Sequence, residues 1–343
     1  MKPAEELYRE SIVIDMRGMP TLTRGGVEDF KASGITAANI QADSEEALFL
    51  QNWYVNQFNE VSFVKSAQNI MDAKKRGAMC VLMSMEHPKP LSQACSDDNP
   101  VITMHLRKLE WYYSLGLRRV QLSYNRRTMF ADGCTERRDA GLSFYGIELI
   151  EKMNELGMLV DCAHTGIQSS IDAVEASSKP IIYSHTACRE VYEHPRNKTD
   201  EALKALAEKD GVACIHVVPS FLAYDSERAD LNVALNHIDH AVKVMGVEHV
   251  GIGSDGPIRD RKRFPSDEAF WFSRAVKYQP SRLERYRNFA NEVDLKPPRY
   301  MPDLAHTDYM LQITNGLLTR GYSEEEVKGI IGENCVRLLR EVL

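Results

Sequence analysis

The sequence predicts an α/β fold, a (β/α)8 TIM barrel, with residues 1–343 forming a single domain. Three observations predict it. Eight short apolar runs recur along the chain; amphipathic stretches with helical spacing lie between them; and 343 residues suit one large α/β barrel.

The runs are 11–16 (SIVIDM), 35–41 (ITAANIQ), 78–84 (AMCVLMS), 118–123 (RRVQLS), 159–164 (LVDCAH), 180–185 (PIIYSH), 212–217 (VACIHV) and 250–255 (VGIGSD). They are brief, Val/Ile-rich and almost continuously apolar, as parallel strands covered on both faces should be. Between them, 146–157 places Ile147, Ile150 and Met153 on one stripe and stops at Gly157. The stretch 231–246 does the same with Val233, Leu235, Ile238, Val242 and Met245, ending at Gly246. Residues 167–177, 200–209 and 307–320 also read as helices, and Thr199 or Asp200 can cap the one that enters at Glu201. Strands alternating with helices give a barrel or an open doubly wound sheet. No GxGxxG follows the first strand, which weakens the dinucleotide-binding alternative. Residues 257–303, rich in Pro, Arg and aromatics and including Phe270, Trp271 and Phe272, are expected to be a long insertion: a lid, an interface, or a helical surface insertion that only packs. C-terminal helices follow over 307–342.

Hydrophobic residues make up 43% of the chain and charged residues 27%, so a large core is expected rather than disorder. A net charge of -7 argues against a nucleic-acid partner, whose binders carry a basic patch. It leaves room for an anionic substrate, because one local Arg can reverse the field inside a cleft. The seven Cys are scattered and form no CxxC pair, which excludes a zinc ribbon or a thioredoxin motif and predicts buried reduced thiols. The N-terminus, MKPAEELYRESIVID, has no apolar h-region, and no run approaches the ~20 apolar residues of a membrane span. The expectation is a cytoplasmic protein with no membrane partner.

Polar residues gather at the strand exits. The predicted strands end at or run into Asp15, Glu86, Tyr124, His164, His185 and Asp255. Strand C-termini converge on one mouth of a barrel, where chemistry is housed. His164 and His185, at equivalent places on successive strands, together with Glu86, make a His2Glu set that suits catalytic zinc, and also iron, cobalt or manganese. Such an ion acidifies water and polarises a carbonyl. Asp255, opposite, would accept and return a proton. His216, His237, His240, His249 and His306 read instead as hydrogen-bonded core or rim residues, as does His87 beside Glu86.

With these motifs in hand, the chain resembles the renal (membrane) dipeptidase family, peptidase family M19 of the amidohydrolase superfamily. GMLVDCAHTG (157–166) and PIIYSHTACREVYEHPRN (180–197) are similar to the family's fifth- and sixth-strand motifs. MSMEHPKPL (83–91) is similar to the stretch carrying its metal-bridging Glu. HIDHAVKVMGVEHVGIGSDG (237–256) and GYSEEEVKGIIGENCVRLLREV (321–342) resemble its last strand and its C-terminal helices. The resemblance implies that His164, His185 and Glu86 are metal ligands, that Asp255 is catalytic, and that Arg196 recognises a substrate carboxylate. It also carries the expectation of a homodimer.

Three departures stand against the family pattern. The first strand normally ends in a His-x-Asp pair that binds one of two zinc ions, whereas IVIDMRGMP (12–20) offers Met16, Arg17, Gly18 and Met19. Met and Arg cannot replace imidazole and carboxylate around zinc, so one ion is expected, with the cationic Arg17 filling the vacated space and balancing Glu86 or Asp255. On strand 4, LSYNRRTMFAD (122–132) puts Tyr124 where the family has a substrate-contacting His. Tyr can donate to an oxyanion but does not titrate near neutrality. Arg126 and Arg127 would add positive charge to the mouth or lie in a solvated loop. After strand 7 the family's Tyr is missing from CIHVVPSFLA (214–223).

The leading expectation is a single-zinc hydrolase of an amide or peptide bond in a small, carboxylate-bearing substrate. Dipeptides, modified amino acids, N-acyl compounds and small betaine-like compounds all fit. In it Arg196 clamps the carboxylate, Tyr124 and Arg17 contact the substrate, and Asp255 shuttles the proton. The alternative is an isomerase, lyase or decarboxylase on the same platform, since fold does not fix reaction. A non-enzymatic binding protein is the third reading.

Overall fold

The computed structural model describes residues 2–20, 22–92, 104–225, 228–258, 301, 304 and 306–343. In chain order its strands are β1 (Ile14–Asp15), β2 (Met19–Pro20), β3 (Ala37–Gln41), β4 (Val61–Phe63), β5 (Met79–Met85), β6 (Leu117–Gln121), β7 (Leu159–Asp161), β8 (Ile182–Thr186), β9 (Val212–Ile215), β10 (Val250–Ile252) and β11 (Pro257–Ile258). Eight of them, β1-β3-β5-β6-β7-β8-β9-β10, form one parallel sheet, and they are the eight apolar runs. The sheet closes on itself: the Met16 N–H donates to the Ile252 carbonyl at 3.0 Å, and Met19 N–H to Gly256 at 2.9 Å. β2 and β11 extend that seam as a short parallel pair, and β4 lies against β5 off the ring.

Several strands are shorter than their apolar runs. β7 ends at Asp161, three residues before His164, and β10 ends at Ile252, three before Asp255. The cause is local. The Asp161 carboxylate accepts from the Ala163 N–H at 3.0 Å and the Thr165 N–H turns back to Cys162 O at 3.1 Å, so side chain and turn replace the ladder. His164 is thereby lifted beyond its strand, into the mouth; after β10 the Ser254 N–H turns to the Asp15 carboxylate at 2.9 Å, and Asp255 follows.

Helices cover the outside. Ser143 caps Phe144–Leu156, and Gly157 ends it at φ +68°. Thr199, not Asp200, caps Asp200–Glu208 by accepting from the Ala202 N–H. Asp230 caps Leu231–Met245. Tyr309–Thr319, Glu324–Lys328 and Asn334–Val342 are the C-terminal helices.

Alternation along each strand splits the core in two. Ile14, Ala37, Leu82, Leu159, Ile182, Val212 and Cys214 face the lumen, which the helices Ala67–Arg76 and Asn334–Val342 close at the end where Ile12 and Ala78 lead into their strands. Ala38, Ile40, Val81, Met83, Val120, Val160, Tyr183, Ala213 and Ile215 face outward, against helical residues such as Leu149, Met153, Leu206 and Ile238. With one end of the lumen closed by apolar packing, polar groups collect at the other. Of the insertion expected at 257–303, Pro257 and Ile258 form β11, and almost all the rest, Phe270, Trp271 and Phe272 included, lies outside the described residues.

Candidate metal centre

Glu86 follows β5, His164 follows β7 and His185 lies within β8, and their side chains meet. His164 Nε2 is 2.8 Å from His185 Nε2; Glu86 Oε1 is 3.5 Å from the first and 3.3 Å from the second. All three residues are buried.

The far nitrogen of each imidazole fixes its tautomer. Asn125 Oδ1, an acceptor only, takes the proton of His164 Nδ1 at 2.6 Å. The Ser184 hydroxyl donates to Asp161 Oδ2 at 2.5 Å, so its oxygen accepts from His185 Nδ1 at 2.9 Å. Both Nε2 atoms therefore carry bare lone pairs. Burial, reinforced by Arg196, pushes His164 down to about 3 against the pull of Glu86, and burial holds His185 well below the usual imidazole range. Two buried lone pairs that face each other over a carboxylate repel unless a cation lies between them. Ligand atoms at the usual 2.0–2.2 Å from a zinc ion sit about 2.8–3.6 Å apart, so the donor set fits one ion both in chemistry and in spacing.

The β1 exit does not fit a second ion. Met16 is buried in the apolar core, and the Arg17 guanidinium lies on Glu86, with Nε 3.1 Å from Oε1 and Nη2 2.7 Å from Oε2. Arg17 Nε is also 3.6 Å from Asp255 Oδ1, and Arg17 is 5% exposed, pointing into the mouth. Gln41 Nε2 at 2.9 Å and Gln121 Nε2 at 3.3 Å complete the donors to Glu86. Burial pushes the Glu86 carboxyl up, but Arg17 and the two imidazoles outweigh it and hold the group well below its ordinary range.

Asp255 stands at φ +55°, a left-handed conformation that Asp tolerates and that turns its carboxylate from the end of β10 toward Arg17. Burial, opposed by Arg17, pushes it up to about 6. The Tyr124 ring is stacked between His87 and His164, at centroid distances of 3.9 and 4.2 Å. Asp43 holds His87 at Nδ1 (2.9 Å) and takes the Glu86 N–H at 2.7 Å. Arg196 is buried at the ends of β7 and β8, where its guanidinium donates to the carbonyls of Ala163 and His185 and leaves Nε without a partner among the described residues. Arg126 is exposed, and Arg127 turns onto Asp132, which offsets its charge. A polar cleft of about 380 Å³ opens beside Gln41 and Asp43.

The residues that sequence reasoning missed are the supports: Gln41, Gln121, Asn125, and the chain Arg119–Asp161–Ser184. Arg119 Nε lies 3.4 Å from Asp161 Oδ2 beneath the centre. Asn125 and Ser184 are each adjacent to a residue already singled out, a signal that could have found them; the two glutamines carry none. Asp15, expected as part of the polar cluster, is fully buried and holds the backbone instead, accepting from the N–H groups of Arg17 and Ser254, both at 2.9 Å, and from the Tyr309 hydroxyl.

Fold and site together define a parallel (β/α)8 barrel with a Glu-His-His donor set at its C-terminal mouth. A family model for membrane dipeptidases (Peptidase family M19) matches residues 26–258, a stretch that holds Glu86, Tyr124, His164, His185, Arg196 and Asp255 and starts after Arg17. The chain belongs to that family. It is 33% identical over 227 residues to an uncharacterized dipeptidase of Schizosaccharomyces pombe, covering 64% of this chain and 52% of that one. It is 24% identical over 319 residues to a dipeptidase of Claviceps purpurea, covering 92% and 63%. The match thus spans between half and two thirds of the length of these curated relatives. A solved amidohydrolase from Pseudomonas aeruginosa superposes with a TM-score of 0.81 at 27% identity, over 99% of both chains.

Proposed function

We propose that the protein is a dipeptidase-like, metal-dependent hydrolase that cleaves an amide or peptide bond in a small substrate bearing a carboxylate, with one zinc ion held by Glu86, His164 and His185. The observation that carries this reading is the pair of neutral imidazoles aimed at each other across the Glu86 carboxylate, 2.8 Å apart. The ion would supply Lewis acidity toward the carbonyl and a nucleophile at neutral pH.

The chain's own residues do the rest. Asp255, poised at about 6, takes a proton during attack and returns it to the leaving amine. Arg196 binds the substrate carboxylate through the donors its carbonyl contacts leave over. Tyr124, beside His164, lines the reacting end and donates to the oxyanion. Arg17 keeps Glu86 ionised and offers Nη1, buried and without a partner among the described residues, to the substrate. The described cysteines are all free thiols and five of the six are buried, which supports a cytoplasmic location.

One observation favours a second reading: Arg17 occupies the face of Glu86 from which a second ion would act, as suits an isomerase, lyase or decarboxylase. The test is elemental analysis of the native protein and of His164→Ala, followed by mass analysis of products from a panel of dipeptides and N-acyl amino acids. One zinc per chain, lost in the variant, with products that have gained a water, is the expected result. A panel left intact by the metal-loaded protein refutes hydrolysis, and products with no added water select the second reading.

No helix among the described residues is long and apolar enough to cross a membrane.

A further inference from the structure

We propose that His216 is a specificity-determining residue: its Nε2–H and the Nε–H of Arg196 form a two-donor seat for the substrate carboxylate. The proposal rests on the reading above for the class of ligand, and on the geometry for the seat.

Position comes first. Along β9, Val212 and Cys214 belong to the lumen core, while Ala213, Ile215 and Val217 belong to the outer one. Alternation therefore turns His216 inward, one step beyond the end of the strand. Its N–H donates to Thr186 O at 3.0 Å, and the next N–H, of Val217, donates to Ser254 O at 3.3 Å. His216 is thus fixed between the strand that carries His185 and the segment that carries Asp255.

Protonation follows from the backbone. The Val218 N–H donates to His216 Nδ1 at 3.4 Å, so Nδ1 is the acceptor and the proton of the neutral ring sits on Nε2. Burial, with Arg196 nearby, keeps this imidazole neutral. The ring is completely buried, and its Nε2 has no partner among the described residues. Of the five histidines read from sequence as hydrogen-bonded structural groups, His237, His240 and His249 have such partners, through Leu222 O, Asp200 and Gly211 O, whereas His216 keeps a bare donor.

A second orphan stands beside it. Arg196 Nε is buried and unpartnered while the two terminal nitrogens are tied to Ala163 O and His185 O. Both groups border one ring, that of Phe221, which is 5.6 Å from the His216 centroid and 5.8 Å from the guanidinium carbon of Arg196. A buried donor without an acceptor is costly, and two of them on neighbouring strand ends call for a ligand with two acceptor oxygens. A carboxylate is that ligand. A carboxamide, whose nitrogen can only donate, meets one of the two N–H groups head-on.

The experiment measures binding of alanyl-alanine and of alanyl-alaninamide to the metal-loaded protein by titration calorimetry, with His216 unsubstituted, as His216→Phe and as His216→Gln, each in an Asp255→Asn background that slows cleavage; turnover of both probes is read separately with Asp255 in place. The unsubstituted protein should prefer the carboxylate. His216→Phe should weaken the carboxylate ligand roughly ten- to hundredfold, the range for a hydrogen bond to a charged group. It should leave the amide within about threefold, and His216→Gln, which keeps an N–H, should recover most of the loss. His216→Phe also strips the Val218 N–H of its acceptor, so a modest fall in melting temperature is expected; a structural role would weaken both ligands alike, whereas the seat predicts a loss confined to the carboxylate. If His216→Phe does not fold, a purely structural role is indicated and the seat is refuted, unless His216→Met folds and shows the same discrimination. Equal losses for both ligands, no loss, or no preference in the unsubstituted protein overturn the proposal. Discrimination without turnover of either probe would instead sink the hydrolytic reading and leave the seat standing.

Discussion

Arg17→Met tests whether a fixed guanidinium does the electrostatic work at the exit of β1. In the metal-free protein this change strips Glu86 of its cation, at 2.7 and 3.1 Å, and leaves it the amide donors of Gln41 and Gln121. Removing one partner of a buried ion pair costs about 3–5 kcal/mol. The surviving amide donors place the expected loss near the lower end, about 3 kcal/mol. The metal-loaded protein should lose less, because the ion bound by Glu86 supplies the missing positive charge. Urea denaturation of both forms at pH 7 reads the difference. The pH dependence has a definite sign. Glu86 is held below its unfolded pKa of about 4.3, so its contribution is present above that value and is lost as pH falls through the depressed one. In the variant the carboxyl rises and protonates earlier, so the gap between variant and parent should narrow as pH is lowered from 7 toward 4. A metal-free loss under ~1 kcal/mol, or the same loss with and without metal, would show that Arg17 is not the counter-ion this geometry requires.

Three further outcomes are expected. Ser184→Ala removes the acceptor that orients His185 Nδ1 and should lower zinc affinity about 10–100-fold, read by competition with a chelator, with stoichiometry at saturation unchanged. Asp255→Asn should reduce kcat by about 10²–10⁴ while metal content stays the same; an unchanged kcat would remove Asp255 from the proton path. Lys198, buried with its ammonium on Thr165 O and Ser170 Oγ, is pushed down to about 8 by burial. The unfolded chain holds that proton up to about 10.4, so the parent should gain stability relative to Lys198→Met, on the order of 3 kcal/mol, as pH rises from 8 to 10.4. Parallel stability curves for the two would contradict it.

The barrel was legible because its strands are buried on both faces. A run such as AMCVLMS reads as continuous apolar chain and becomes β5, with every residue buried. The exits were legible for the same reason inverted, since His164 and His185 interrupt or end apolar runs where a polar side chain needs a purpose. Strand ends were less legible: Ala163 looks like strand yet leaves the ladder, because the Asp161 carboxylate competes for its backbone N–H. The supports were hidden for a different cause. Gln41, Glu86 and Gln121 are brought together only by the pairing of β3, β5 and β6, strands far apart in sequence, and an amide at an inward strand position carries no local signature. His216 looked like any core histidine until closure showed both its inward face and its empty nitrogen.

The centre also differs in kind from one that depends on metal for its charge balance. A bound ion can leave, whereas a guanidinium on the chain cannot. Glu86 here accepts from Arg17, Gln41 and Gln121 whether or not an ion is present, so its carboxylate is compensated and aimed in the metal-free state. The imidazoles are likewise held by Asn125 and by the Ser184–Asp161 pair, themselves anchored to Arg119 beneath the mouth. Such preorganisation favours binding of one ion without rearrangement of the strand ends. It also disfavours a second ion, which would have to displace a buried, doubly hydrogen-bonded cation and find ligands among Met16, Gly18 and Met19. On the proposed single-ion reading the arrangement is self-consistent: the guanidinium that would stand in the way of a second ion is the one that holds the Glu86 carboxylate in place for the first.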